Sequence, residues 1–243
     1  MNNLKVIIQE LKIPRNKMKV FFIIKHNSQR IKNKNFKKIS NLELYKKVLY
    51  KFKNFEVFVD TDSDKIIKSC KTDKNLRHVY SYKRDPKFIR MEKSKFESPT
   101  PYMIKNFLEN YTNSKNEIVI TSHITSPFIK IETIKDALKK MKNYDSVSSV
   151  QKIQNFSYLE MSNSKYIPIN FNDKIIQKTQ MLKKIIHLNG AFFIIKKNIF
   201  LNNGLKRISK KNFFYDLKFP EYIDIDYKVD LQLARKISKY FNE

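Results

Sequence analysis

Asp224 and Asp226, close to the C-terminus, are the residues whose spacing most strongly indicates chemistry. They alternate with Ile223, Ile225 and Tyr227, and in an extended segment side chains two residues apart project to the same side. Adjacent carboxylates repel each other unless a cation lies between them, and proteins typically bind Mg²⁺ through one or two carboxylates together with substrate phosphates. The pair therefore indicates a divalent-cation site, and an edge strand with solvated aspartates is an equally good interpretation.

A second acidic cluster comprises Asp60, Asp62 and Asp64, directly after the apolar residues 57–59. Asp62 or Ser63 is a natural N-cap for a helix that starts at this point. We therefore favour a structural role over metal binding for this cluster.

The polar loop at residues 25–35 offers hydrogen-bond donors at almost every position: three Lys, one Arg, one His, one Ser, one Gln and three Asn. A polyphosphate is bound by donors of this kind, from side chains and from backbone N–H groups. In a basic protein, however, a solvated loop is the commoner explanation, so the loop alone does not establish phosphate binding.

Short apolar strands alternate with amphipathic helices along most of the chain, and these elements must position the candidate residues. Strands are predicted at residues 19–24, 56–60, 78–82, 117–121, 146–150 and 191–195. Helices are predicted at residues 42–52, with Asn41 as the N-cap, and at 63–70, 99–108, 131–141 and 230–241. This alternation predicts an α/β fold with a doubly wound, mostly parallel sheet, in which ligands bind at the carboxyl ends of the strands.

Two segments fall outside this alternation. Residues 1–17 precede the first strand and are predicted to be an N-terminal extension to a single domain at residues 18–243. Residues 151–188 lack clear periodicity and are predicted to form a small β-rich insertion, which serves as a flap or as a contact between subunits.

The composition excludes several classes of protein. With 41% apolar residues the chain can bury a sizeable core, so wholesale disorder is not expected. The two glycines leave no GxGxxG or GxxxxGK[ST] motif, and the single cysteine, Cys70, excludes an internal disulfide framework and a cysteine-based zinc site. The longest apolar runs have five residues, against about 20 for a membrane span. We therefore expect a cytoplasmic protein without a membrane contact, in which Cys70 is a small buried residue on a helix.

The formal net charge of +27 comes from 50 Lys and Arg against 23 Asp and Glu. Only seven of the basic residues are Arg, the residue that phosphate and base-edge recognition favours for its bidentate geometry. Lys, Asn and Ile, which AT-rich codons favour, account for 98 of the 243 residues. We interpret the charge as a solvated surface and do not expect specific nucleic-acid binding.

Seven short motifs follow one another between about Met18 and Arg235. They are the polar loop after the first strand, Val-Asp-Thr-Asp-Ser at 59–63, Thr-Ser-Pro at 125–127, residues 144–150, Gln180, residues 189–194 and Asp224-Ile225-Asp226. In this order the motifs resemble those of the acylneuraminate cytidylyltransferases, which make CMP-activated sialic and related nonulosonic acids from CTP. The chain resembles the CMP-Kdo synthetases more distantly, and both resemblances imply a Rossmann-like nucleotidyltransferase fold.

The polar loop matches the signature loop of that family in part. Ser28, Ile31, Lys34 and Asn35 agree with it, whereas Lys25 replaces an Arg and residues 26–27 replace two Gly. A less studied branch of the family fits better, through His26, Ser28, Arg30, Lys34 and Asn35. His123 stands where the main branch has Gln, again as in the second branch.

The resemblance implies transfer of CMP from CTP to an acidic sugar, in which an anomeric hydroxyl attacks the α-phosphorus and pyrophosphate leaves. It implies that Asp224 and Asp226 bind Mg²⁺. It also implies that Lys25, Lys34, Asp224 and Asp226 are the catalytic residues. It places the nucleotide on Lys25, Ser28, Arg30, Lys34, Asn35, Arg84 and His123, and it places the sugar on Gln180 and Asn189. It also implies a homodimer in which residues 151–188 reach the neighbouring subunit.

Three other functions stay open on the sequence. The chain is also compatible with a CMP-Kdo-type or other sugar-acid cytidylyltransferase, and with a nucleotide-binding relative that has lost catalysis. A basic nucleic-acid-binding protein is the third, and it leaves Asp224 and Asp226 without a role.

Overall fold

The computed structural model describes residues 18–93 and 97–241. The predicted extension at residues 1–17 lies outside this range. The described strands are β1 (Lys19–Ile24), β2 (Lys38–Ile39), β3 (Leu42–Glu43), β4 (Glu56–Thr61), β5 (Val79–Lys83), β6 (Ile118–Ser122), β7 (Ser146–Ile153), β8 (Tyr158–Glu160), β9 (Tyr166–Pro168), β10 (Ile185–Lys196) and β11 (Asn212–Asp216). The α-helices are α1 (Leu44–Leu49), α2 (Asp64–Thr72), α3 (Pro86–Met91), α4 (Thr100–Tyr111), α5 (Ile131–Lys140), α6 (Lys197–Asn202) and α7 (Lys228–Tyr240).

A seven-stranded sheet in the order β11-β7-β10-β6-β1-β4-β5 forms the centre of the described chain. Its pairings are parallel except for the two that β10 makes, with β6 and β7. The predicted α/β fold with a doubly wound, mostly parallel sheet is therefore confirmed.

The sheet is covered on both faces, which explains why its strands are continuous apolar runs. In β1, Val20, Phe22 and Ile24 join one core, whereas Phe21 points into the other. Helices α1, α2, α5 and α7 cover the first face, and α3, α4 and α6 cover the second. On the second face Phe21 stacks on Phe107 of α4 with ring centroids 4.5 Å apart.

Helix α2 illustrates how the local sequence sets an element boundary. Ser63 is its N-cap, and the Ser63 hydroxyl accepts a hydrogen bond from the backbone N–H of Ile66 at 3.4 Å. The helix buries Ile66 and Cys70 against the core and ends at Thr72. The predicted capping role of Ser63 and the predicted burial of Cys70 are both confirmed.

The helix predicted at residues 42–52 begins later than expected, and Asn41 is not its N-cap. Leu42 pairs with Ile39 in a short hairpin of β2 and β3, and its turn contains Asn41 and Ser40, whose φ is 53°. The helix then starts at Leu44, because the backbone of Leu42 is already committed to the hairpin. The apolar spacing correctly predicts a helix, but strand pairing across the turn determines where the helix starts.

Residues 151–188 are rich in β-structure. Strands β8 and β9 form an antiparallel pair, and β7 extends to Ile153, where it pairs with the first part of β10. Strand β10 is longer than the predicted strand at 191–195, and its register with β7 shifts between Leu188 and Phe193. In the part of the chain that the structure describes, no helix has both the length and the apolar content to cross a bilayer.

Candidate functional site

A cleft of about 510 Å³ opens beside the carboxyl ends of β1 and β6, within the range typical of small-molecule sites. Its walls come from the loop after β1, the segment after β6, the start of α4 and the segment before α7. Seven of the predicted site residues line it: Lys25, Ser28, Arg30, Lys34, Asn35, His123 and Asp226.

The loop after β1 is tied to its surroundings at both ends. The backbone N–H of His26 donates to Asp62 Oδ1 at 2.6 Å, and His26 Nδ1 lies 2.8 Å from the Ser63 hydroxyl. Further along the loop, Asn35 Nδ2 donates to the carbonyl of Lys25 at 2.7 Å. These bonds hold the polar side chains of the loop towards the cleft.

The replacement of two family glycines by His26 and Asn27 does not strain this loop. Among the described residues of the loop, the left-handed region is occupied by Asn33, with a φ of 56°. Asn is the residue after Gly that best tolerates this conformation. Neither His26 nor Asn27 adopts a positive φ, so both side chains are tolerated at these positions.

Lys34, Arg30 and Asp226 converge at one side of the cleft. The buried Lys34 Nζ donates to the carbonyl of Ile225 at 2.6 Å and to Asp226 Oδ1 at 3.1 Å, while Arg30 pairs with Asp226 Oδ2 and lies over the Tyr227 ring. Partial burial alone would raise the pKa of Asp226, but the hydrogen bonds and charges of Lys34 and Arg30 hold it below its ordinary value. Asp226 is therefore ionised at neutral pH.

Asp224 has a different environment from Asp226, although the two are only two residues apart. Asp224 does not line the cleft. Burial, with a smaller contribution from the charge of Asp226, raises the pKa of Asp224, and a hydrogen bond with Thr125 opposes this shift. Asp224 Oδ1 is buried without a hydrogen-bond partner, and a cation or a hydrogen-bond donor would satisfy it.

Lys25 is positioned by a buried ionic network that includes Arg84. Lys25 Nζ lies 3.3 Å from Glu92, and Glu92 in turn accepts a hydrogen bond from Arg84 Nη1 at 2.8 Å. The fully buried Arg84 also donates to Asp60 Oδ1 at 2.6 Å and to the carbonyl of Ile24 at 3.3 Å. Arg84, predicted to bind the nucleotide, therefore does not line the cleft, because its guanidinium is turned into the protein to neutralise Asp60.

The three aspartates of the cluster at residues 60–64 each have a different partner. Asp60 pairs with Arg84, Asp62 accepts from His26, and Asp64 pairs with Lys83 at 2.6 Å. Among the described residues, no group of three or more His, Cys, Asp or Glu is arranged to hold a metal ion. These contacts are consistent with the structural role that we favour for this cluster, although Asp62 also lines the cleft.

The two residues predicted to contact the sugar also lie outside the cleft lining. Asn189 is buried, and its Oδ1 accepts from the Ser149 hydroxyl at 2.8 Å and from the Ala191 N–H at 3.2 Å. Gln180 is exposed, and its backbone carbonyl accepts from Gln154 Nε2 at 3.0 Å. In this chain Asn189 fixes the backbone where β10 joins the sheet.

His123 and Arg207 both line the cleft and contact each other. Arg207 Nη1 lies 3.3 Å from His123 Nε2, and the guanidinium carbon lies 3.8 Å from the centroid of the Phe193 ring. Burial, with a smaller contribution from the charge of Arg207, lowers the pKa of His123 to about 4, so the imidazole is neutral at pH 7. Its Nε2 therefore accepts the hydrogen bond from Arg207.

Sequence reasoning missed Arg207 and Glu92. Arg207 belongs to no motif, and only the tertiary fold brings it to His123, 84 positions earlier. The one sequence signal for Arg207 is the rarity of arginine, with only seven among the 50 basic residues. Glu92 carried no comparable signal.

Comparisons with known proteins agree with this α/β fold. A family model described as cytidylyltransferase matches residues 24–234. A CMP:2-keto-3-deoxy-manno-octonic acid synthetase complexed with CTP has a similar fold, with a TM-score of 0.63, 12% identity and coverage of 93% of this chain and 100% of that one. No curated protein matches the sequence significantly.

Two further solved structures share the fold. The 4-diphosphocytidyl-2C-methyl-D-erythritol synthase from Anaerococcus prevotii has a TM-score of 0.60 at 10% identity, over 93% of this chain and 99% of that one. The bifunctional IspDF from Campylobacter jejuni has a TM-score of 0.57 at 16% identity, over 89% of this chain and 54% of that one. At these identities the likeness extends to the fold alone.

Proposed function

Because the chain belongs to the cytidylyltransferase family, we propose that it transfers CMP from CTP to an acidic sugar of the sialic-acid type and releases pyrophosphate. The observation that carries this proposal is the convergence of Arg30, Lys34 and Asp226 in the cleft beside the carboxyl end of β1. Three cationic side chains on one loop, Lys25, Arg30 and Lys34, suit a triphosphate.

In the proposed reaction the hydroxyl of the acceptor attacks the α-phosphorus of CTP, a new P–O bond forms, and the bond to pyrophosphate breaks. Lys34 is held by Ile225 and Asp226, so its charge is fixed before substrate arrives and needs no reorganisation. Arg30 and Lys25 add positive charge where the leaving pyrophosphate accumulates negative charge. Ser28 and Asn35 complete the loop, Ser28 as a donor in the cleft and Asn35 through its bond to the carbonyl of Lys25.

Asp224 and Asp226 are the residues that we assign to Mg²⁺. The partnerless Asp224 Oδ1 fits a cation, and Asp226 exposes its carboxylate to the cleft. When bound, Mg²⁺ would neutralise phosphate charge and lower the pKa of the attacking hydroxyl. The bond between Thr125 and Asp224 and the pairing of Lys34 with Asp226 keep the two carboxylates in place.

The choice of an acidic sugar rests on the motifs and on the chemistry of the cleft. The resemblance of the motifs to those of the acylneuraminate cytidylyltransferases supports it, and Arg207 in the cleft is a cation that could pair with a carboxylate. We assign His123 to the ribose or base side of the nucleotide, and Asn189 to positioning of the backbone beside it. Gln180 reaches a sugar only through movement of its exposed segment or through a second subunit.

A homodimer formed through residues 151–188 would explain the apolar side chains that this segment exposes. They include Tyr158, Leu159, Tyr166 and Ile167, which are between 50% and 60% exposed on the β8–β9 hairpin. Apolar patches of this kind mark protein interfaces, and the occupant that we propose is the same hairpin region of a second copy. Ile167→Glu should convert a dimer to a monomer in light scattering; a monomeric wild-type protein would contradict the proposal.

The experiment that tests the function measures pyrophosphate release from CTP and Mg²⁺ with N-acetylneuraminic acid, Kdo and related nonulosonic acids. Asp226→Ala should abolish release, whereas the control Asp64→Asn, at an exposed ion pair, should keep it. Full activity of Asp226→Ala would reject the metal assignment. A wild-type protein that releases no pyrophosphate with any acidic sugar would reject the substrate class.

A further inference from the structure

Arg207 differs from Lys25, Arg30 and Lys34, the three cations of the loop after β1, in having no acidic partner among the described residues. Lys25 pairs with Glu92, and Arg30 and Lys34 both pair with Asp226. The contacts of Arg207 are instead the neutral imidazole of His123 and the face of the Phe193 ring. A partly buried guanidinium without a counter-charge is costly, so this position favours the arrival of an anion.

The protein holds this guanidinium in a fixed orientation. The Phe193 ring stacks beneath it at 3.8 Å, and His123 Nε2 occupies one of its N–H groups. Burial lowers the pKa of Arg207 to about 10, so it stays charged at neutral pH. The remaining N–H groups of a planar guanidinium match the two oxygens of a carboxylate.

The place of Arg207 in the cleft separates it from the cations of the β1 loop. Those three cations lie on one loop. Arg207 comes instead from the segment between α6 and β11, and it contacts Phe193 on β10 and His123 directly after β6. The triphosphate of CTP already has Lys25, Arg30 and Lys34 available. The anion still without a cation is the carboxylate of the acceptor.

We propose that Arg207, held by His123 and Phe193, binds the carboxylate of the acceptor and makes this enzyme specific for acidic acceptors. This inference rests on the proposed function, and it adds a specificity-determining residue that none of the motifs contains. It predicts that the carboxylate and Arg207 act as a pair. Once either group is removed, removal of the other should not lower kcat/KM for the acceptor further.

The test compares wild type, Arg207→Gln and Arg207→Lys with the acidic sugar that the wild type uses and with its carboxamide. Arg207→Gln should lower kcat/KM for the acid about 100-fold, the effect typical of lost charge-assisted hydrogen bonds, and should change KM for CTP less than twofold. The wild type should prefer the acid over the carboxamide by a similar factor, and Arg207→Gln should lose this preference. Arg77→Gln, at an exposed arginine, is the matched control and should behave as the wild type.

Two outcomes would overturn the inference. A rise of KM for CTP with unchanged use of the acceptor would place a phosphate on Arg207, and an Arg207→Gln variant that still prefers the acid over the carboxamide would leave Arg207 a structural role. If Arg207→Gln does not fold, Arg207→Lys, which keeps the charge but loses the fork, should show a smaller loss of the same preference.

Binding separates this inference from the proposed function. The acidic sugar should raise the melting temperature of the wild type more than its carboxamide does, and this difference should vanish in Arg207→Gln. If the wild type shows this difference but no turnover, the proposed transfer fails and the role of Arg207 stands. If turnover is found and the acid and carboxamide are used equally, the role of Arg207 fails and the transfer stands.

Discussion

Gly190 lies directly against the imidazole of His123. A Cβ on Gly190 would be 2.8 Å from His123 Nδ1 and 3.0 Å from Cε1, and the φ of Gly190 is +73°. Both the contact and the backbone conformation therefore require glycine at this position. Through His123, the same contact sets the position of the imidazole that holds Arg207.

Gly190→Ala should consequently destabilise the protein and weaken catalysis together. Strain at positive φ costs about 1 kcal/mol, and the clash with His123 should bring the loss in free energy of unfolding to about 3 kcal/mol. We expect kcat/KM for the acceptor to fall at least tenfold, because the imidazole must move. Urea unfolding and steady-state kinetics measure the two effects.

Gly204→Ala is the matched control for this prediction. Gly204 has a φ of +60°, and a Cβ there would meet nothing within 4 Å. The variant should lose only the strain energy of about 1 kcal/mol and keep full activity. Equal losses in the two alanine variants would show that contact with His123 is unimportant.

Lys34→Met should remove the central cation of the cleft. The loss of charge-assisted bonds to Ile225 and Asp226 should lower the free energy of unfolding by about 2 kcal/mol and reduce turnover at least 100-fold. The pKa of Asp226, which Lys34 and Arg30 hold down, should rise, as NMR titration of the carboxylate can show. Lys32→Met, at an exposed lysine of the same loop, should change none of these; a similar loss there would indicate a general charge effect.

His123 should make the folded protein sensitive to mild acid. Its pKa of about 4 in the folded state lies below the value of about 6.5 in an unfolded chain. Between these values the unfolded chain takes up a proton that the folded protein does not, so stability falls as pH decreases from about 6.5 to about 4, by at most about 3 kcal/mol. His123→Gln should lack this part of the pH dependence of urea unfolding, whereas His187→Gln, on the exposed end of β10, should retain it.

Cys70 should be chemically silent in the folded protein. Burial raises the pKa of its thiol to about 11, although a hydrogen bond with Ser81 opposes the shift. The thiolate is the reactive form, so a disulfide reagent at pH 8 should modify the native protein more than 100-fold more slowly than the urea-unfolded chain. Rapid modification of the native protein would show that α2 opens from the core.

The sequence predicted the fold well because strand and helix periodicity is a local property. The apolar run at β1 and the helical spacing of α5 both mark elements that the structure contains at nearly the same bounds. Asn41 was misassigned because the pairing of Leu42 with Ile39 competes with helix formation at that point. The pattern of residue types does not show whether the hairpin or the helix forms at this point.

The site could be predicted only in part, for a similar reason. The motifs identified the β1 loop and Asp226, which line the cleft. They could not show that burial keeps Asp224 out of the cleft lining, or that Arg84 turns inward to Asp60, because burial depends on the packing of distant segments. Arg207 and Glu92 reach the site by tertiary contacts alone.

The ion pairs of the cleft affect which anions it binds. Lys25 pairs with Glu92, and Arg30 and Lys34 pair with Asp226. In a chain with a net charge of +27, solvated lysines attract any polyanion. These three cleft cations are different, because each already has a carboxylate beside it. An incoming phosphate must compete with that carboxylate for each cation, which favours a ligand that contacts several cations at once. Glu92 and Asp226 therefore keep the basic loop after β1 from binding polyanions in general.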